Sequence, residues 1–164
     1  MRRIRIAAFV LLLSLVLTAC GGNTSEGGSA DSGKVSETEQ VGEGTVGKYT
    51  VKFTDAALAK DYDGKDVIIV SYDFTNNDEE TTSAMVSLVV KAFQDGVELE
   101  RAYFLDGADG YNADNIMKDL KTGATLNCQE AYILSSMSSP VEVEAKASFS
   151  FSDEKVTYTY QLAE

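Results

Sequence analysis

From Lys48 onward, apolar and polar residues alternate with a period of two, the mark of strands that bury one face. Tyr49, Val51 and Phe53 alternate with Thr50, Lys52 and Thr54. Ile68, Val70, Tyr72 and Phe74 alternate with Ile69, Ser71, Asp73 and Thr75. Met85 to Phe93 is apolar on both faces and predicts a central strand, with Val97, Leu99 and Arg101 to Leu105 returning beside it. Ala124, Leu126, Cys128, Tyr132 and Leu134 share one parity, and Glu130 is the one misfit in that series. Val141, Val143, Ala145, Ala147, Phe149 and Phe151 form the longest clean alternation, which predicts Phe149 inside and Ser148 in water. Val156, Tyr158, Tyr160 and Leu162 end the chain.

Turn chemistry separates these runs. Asp61 to Lys65, Asn76 to Glu80, Gln94-Asp95-Gly96, Lys121-Thr122-Gly123 and Ser152-Asp153-Glu154 all read as turns. Ile116, Met117 and Leu120 suit one helical turn over Asn115 to Leu120. About seven strands with turns at steps of roughly ten residues predict an all-β, antiparallel sandwich. There is no long helical pattern to cover a parallel sheet.

The first residues follow a different plan. Arg2, Arg3 and Arg5 precede an apolar run from Ile6 to Leu17, and Leu17-Thr18-Ala19-Cys20 closes it. A positive start, a short apolar stretch and a small-residue cleavage site make a secretory signal. The run is roughly a dozen residues, short of the ~20 that a spanning helix needs. A cysteine directly after the small residues resembles the lipobox of bacterial lipoproteins. That resemblance implies a diacylglyceryl group on Cys20 and cleavage between Ala19 and Cys20. Residues 1–19 are then a lipoprotein signal peptide. Residues 20–47, rich in Gly, Ser, Thr and Glu with no aromatic residue, read as a flexible tether from the lipidated Cys20. Residues 48–164 make the sandwich domain.

Charge narrows the partners. The whole chain carries −12; without the three leader arginines, eleven basic residues face twenty-six acidic ones, or −15. Nucleic acid and anionic lipid recognised through charge both need a basic patch, so neither is expected. Histidine is absent, which removes Ser-His-Asp and Cys-His catalysis and His-containing zinc sites. With Cys20 acylated, Cys128 has no cysteine left to pair with, and its parity predicts a buried thiol acting as a small apolar residue. A pair of carboxylates could in principle serve glycoside hydrolysis, but a small sandwich offers no deep cleft to raise a pKa, and no enzyme activity is expected.

The glycine- and carboxylate-rich loop Asp106 to Asn115 is the candidate metal site. Asp106, Asp109, Asn112 and Asp114 supply the oxygen donors that Ca²⁺ takes, and Gly107 and Gly110 let the backbone wrap, although the spacing is not that of an EF-hand. Weak Ca²⁺ binding is the expectation there; no other cofactor is. Tyr62, Tyr103 and Tyr111 lie in or beside loops, where tyrosine serves as a rigid contact residue.

The stretches KDYDGKDVIIVSYDFTNNDEETTSAM, AFQDGVELE and LKTGATLNCQEAYIL resemble the DUF5067 family, small Ig-like domains on lipoproteins of Gram-positive bacteria. The strand ending in Thr-Asn-Asn is also similar to the DUF4352 group and, more distantly, to mycobacterial immunoprotective antigens. The likeness covers about Tyr49 to Leu162. It implies an Ig-like β-sandwich and export, and no catalytic residues. The expected function is therefore a lipid-anchored, extracytoplasmic binding or presentation module, held to the membrane through diacylglycerol on Cys20, with an envelope protein as partner. The alternative is a structural or Ca²⁺-stabilised envelope module without a discrete ligand.

Overall fold

A computed structural model describes residues 39–103 and 110–162, all within one compact unit, Val35–Glu164. The signal peptide, Cys20, Asp106 and Asp109 lie outside the described residues. The described chain forms a β-sandwich. One sheet is built from β1 (Glu39–Val41), β5 (Leu88–Gln94), β6 (Val97–Glu98), β8 (Val141–Ala147) and β9 (Lys155–Tyr160), in the order β1-β9-β8-β5-β6. The other holds β2 (Glu43–Val46), β3 (Tyr49–Lys60), β4 (Asp66–Asn76) and β7 (Thr125–Ile133), in chain order. Neighbours are antiparallel except β1, which runs parallel to β9.

The period-two pattern places the core where it was expected. Ile68, Val70, Tyr72 and Phe74 of β4 meet Val90, Val143, Ala145 and Val156 of the facing sheet. Cys128 is fully buried in the same core, opposite Tyr72 in the register. Strand β4 is buried on its other face too. There Val67 and Ile69 pack with Ala131 of β7 under Ala102 and Tyr111, so the segment after β6 covers the back of this sheet.

Four sequence expectations are corrected. The sandwich begins before Lys48: β1 and β2 fall inside the stretch read as tether, and Val46 is fully buried. The physical reason is Gly42. At φ +78° it turns the chain between sheets, donating its N–H to Thr157 of β9 and accepting from Phe53 of β3. Eight short residues thus close one edge of each sheet, which a composition average cannot register. Second, Met85–Ser87 belongs to a single helical turn, α1 (Ala84–Ser87), and only Leu88 onward is strand; Met85 and Val86 are exposed. Third, the helical turn expected over Asn115–Leu120 is a 3-10 turn at Ala113–Met117, started by the Asn112 cap.

Fourth, Phe149 is not in the core. It is 95% exposed, and Phe151 is fully exposed. The β8 ladder ends at the Ala147–Leu88 pair because its partner β5 starts there. One more bond joins Ser148 N–H to Ser87 O (2.8 Å), and then Phe149, at φ +57°, turns the chain outward. A strand alternation has meaning only as far as a neighbouring strand extends.

A buried carboxylate and an open sheet edge

The Glu130 misfit lies on the inward parity of β7, between Cys128 and Tyr132, and it is buried. Three groups compensate it. The Tyr72 hydroxyl donates to Oε1 at 3.1 Å, and the Tyr132 hydroxyl donates to Oε2 at 2.9 Å. The Arg101 guanidinium forms an ion pair with Oε2 and donates to Val90 O at 3.3 Å. Arg101 also lies over the Tyr132 ring, 6.0 Å from its centroid. The Tyr132 oxygen is also 3.0 Å from Val90 O. The cluster therefore ties β7 of one sheet to β5 of the other.

Burial pushes the Glu130 carboxyl above the usual carboxylate range, opposed by Arg101 and then by the two tyrosine hydroxyls. The same burial, with the carboxylate beside it, pushes both phenols up as well. The single Tyr132 proton cannot fully serve Val90 O and the carboxylate together. Protonated Glu130 can donate to the phenol oxygen and leave that proton to Val90. No buried side-chain nitrogen or oxygen among the described residues lacks a hydrogen-bond partner. Two hydroxyls and one guanidinium thus hold the two oxygens of this carboxylate.

Arg101 reaches Glu130 because of how the chain leaves β6. Leu99 N–H bonds Ala92 O in the β5 strand, while Ile133 N–H bonds Glu100 O and Ala102 N–H bonds Ala131 O of β7. Residues 99–102 thus cross from the edge of one sheet to the edge of the other, and Arg101 bridges to Tyr132. Outside this crossover lies an open groove of about 370 Å³, with Val97, Leu99, Ile133 and Leu134 among its apolar walls and Asp95, Glu98 and Glu100 at its rim. It runs on past Arg101 and the exposed ring of Tyr103. Strand β6 ends its sheet, so its outer backbone pairs with no strand among the described residues. Glu98 is joined to Lys91 at 2.8 Å. One end of the groove is fixed by buried Gln94. Its Nε2 donates to Ser136 O and Ser139 O, both at 2.8 Å, and its Oε1 accepts from Ser135 and Ser136 N–H.

The expected metal loop is only partly within the described residues. Asn112 caps the 3-10 turn, its Oδ1 accepting from Asp114 N–H at 3.1 Å. Among the described residues no three His, Cys, Asp or Glu side chains converge. Of the loop tyrosines, Tyr62 and Tyr103 are exposed, whereas Tyr111 is half-buried against the back of the β4–β7 sheet. The Thr-Asn-Asn turn has a packing role. Asn76 is fully buried, donates Nδ2 to Glu80 O and Leu120 O (2.8 and 2.9 Å) and accepts from Asp78 N–H. Sequence reasoning missed the Glu130–Arg101 pair, although a charge on an apolar parity was its signal. Nothing in the sequence placed Arg101 opposite it.

A two-sheet sandwich with this turn chemistry is the architecture of small Ig-like domains, and the family follows. The model of DUF5067, a domain of unknown function, matches residues 24–147, and the chain belongs to that family. Among curated proteins no relative matches. Solved structures share the fold at low identity. A "putative lipoprotein" from Staphylococcus aureus is 13% identical, with 70% of this chain and 84% of that one covered at a TM-score of 0.53. An uncharacterized β-sandwich protein from Clostridium difficile is 13% identical, with 76% and 95% covered and a TM-score of 0.54. A conserved hypothetical protein from Bacillus anthracis is 16% identical, with 74% and 92% covered at 0.51.

Proposed function

We propose that the chain is a lipid-anchored, extracytoplasmic module that binds or presents a partner and catalyses nothing. The carrying observation is the groove along β6. It joins a free strand edge, an apolar floor and a carboxylate rim. An extended segment can add to such an edge through main-chain bonds and lay alternate side chains in the groove. The rim favours a basic segment. Catalysis finds little support in Glu130, which is buried in the core and engaged by Tyr72, Tyr132 and Arg101. Anchoring is supported by the Leu17-Thr18-Ala19-Cys20 pattern and by the name of the Staphylococcus aureus neighbour.

Two measurements test the two halves. Cys20→Ala should move the protein out of the membrane fraction; retention at the mature size would reject the lipobox reading. A photo-crosslinking residue at Val97 should capture a discrete basic partner from envelope extract, with capture lost in high salt. The same residue at Tyr62, at the tip of the β3–β4 hairpin, should capture none. Equal capture at both positions would reject the groove.

A further inference from the structure

The two most exposed large apolar side chains of the described protein, Phe149 and Phe151, stand in one loop between β8 and β9. They are not alone there. The Ser148–Ser87 bond sets this loop against α1, which exposes Met85 and Val86. The described chain also begins at this end, because Glu39 pairs with Lys155, the first residue after the loop. Large apolar groups gathered at one exposed end mark a contact surface. The backbone adds a second sign. Phe149 holds φ +57°, a conformation a bulky residue adopts at a cost, and it directs the ring away from the core.

We propose that this apolar tip contacts the bilayer surface to which Cys20 is anchored; the inference rests on the lipid-anchor reading above. Cys20 and Glu39 are 19 positions apart in the sequence, which sets an upper bound of roughly 60–70 Å on their separation. The Phe149 end is therefore within reach of the headgroups. The opposite end, at the Tyr62 hairpin, lies about 40 Å further along the twelve residues of β3. Phenylalanine rings and a methionine suit the boundary between headgroup and acyl chain, which such groups enter by about 5–10 Å. Charge does not draw the tip in, since exposed Glu79, Glu80, Asp153 and Glu154 outnumber Lys48 and Lys121 at the same end, and Lys48 is paired with Asp78. The contact is thus apolar, favours zwitterionic over anionic lipid, and strengthens as salt screens repulsion.

The sequence has no tryptophan, so a single introduced one reports locally. The full chain, expressed with its own leader and purified from membranes, is reconstituted in phosphatidylcholine vesicles as Phe149→Trp, Phe151→Trp or Tyr62→Trp. Flotation with the vesicles reports the anchor. Emission reports the tip: the tryptophan at 149 or 151 should shift to the blue and lose intensity when the lipid is brominated near the headgroup. The tryptophan at 62 should stay solvent-like. Flotation with solvent-like emission at both 149 and 151 overturns the tip contact and leaves the anchor standing. A blue shift without quenching by brominated lipid means a protein partner or second copy covers the tip, and overturns it too. Failure to float overturns both readings.

Discussion

At the scale of single residues, Glu130 shows how a charge is tolerated in a core. Taking a carboxylate from water costs several kcal/mol, and a cation with good hydrogen bonds must return it. Arg101 supplies the cation, but its side chain is 47% exposed, so the pair is part-screened. Arg101→Ala should therefore cost about 2 kcal/mol near neutral pH, below the ~3–5 of a fully buried pair. The pH dependence follows from the raised Glu130 pKa. The folded state holds this proton to higher pH than the unfolded chain does. Stability from this group thus falls as pH rises from the usual glutamate range through the raised value. Removing Arg101 extends that window upward. Urea melts at pH 7 and pH 5 should show the Arg101→Ala deficit shrinking at the lower pH. A deficit independent of pH would mean that the arginine acts through packing alone. Cys128 offers a second test, its thiol pushed up to about 12 by burial, then by Glu130. A thiol reagent should label Cys128 only after denaturation, and Cys128→Ser should cost roughly 1–3 kcal/mol for a buried hydroxyl without an assured partner.

At the scale of elements, the end of β8 separates a strand from its sequence pattern. Phe74 and Phe149 each sit in an alternating run, yet Phe74 is fully buried between the sheets and Phe149 projects outside them. Phe74→Ala should cost about 3–5 kcal/mol through lost transfer energy and a cavity. Phe149→Gly should be neutral or stabilise by up to ~1 kcal/mol, because glycine accepts a positive φ that phenylalanine does not. Paired urea melts decide it; a loss above about 2 kcal/mol for Phe149→Gly would return that ring to the core. Turns also carry stability here. Asn76→Ala takes the side-chain donor from Glu80 O and the acceptor from Asp78 N–H, while Leu120 O keeps Thr82 N–H, at about 1–3 kcal/mol for polar groups left unpaired.

At the scale of the whole molecule, the sandwich needs residues that resemble linker. Val46 is fully buried, and β2 completes the edge beside β3. A chain started at Lys48 should lose at least about 2 kcal/mol against one started at Val35, since burying a valine alone is worth about 1.5–3. Equal thermal melting of the two would put β1 and β2 back into the tether. The same end of the domain gathers the first described residue, Glu39, with α1 and the Phe149 loop, while the groove lies along the β6 edge. The apolar tip and the groove are thus separate surfaces of the domain.

What the sequence by itself determined was the set of faces. Period-two alternation is a local property of strands. It assigned Ile68, Val70, Tyr72, Phe74, Cys128 and Val143 to the core, and the fold class followed from their number and spacing. It also left Glu130 visible as a contradiction. Which positions the pattern actually governs was decided by tertiary pairing. Phe149 lost its place because β5 begins at Leu88, and Val46 gained one because Gly42 carries the chain from one sheet to the other. The partner of Glu130 came from 29 positions away in the chain, through a crossover that no local propensity encodes. Alternation says which side a residue faces; only neighbouring strands, brought from distant sequence, decide whether anything stands on that side.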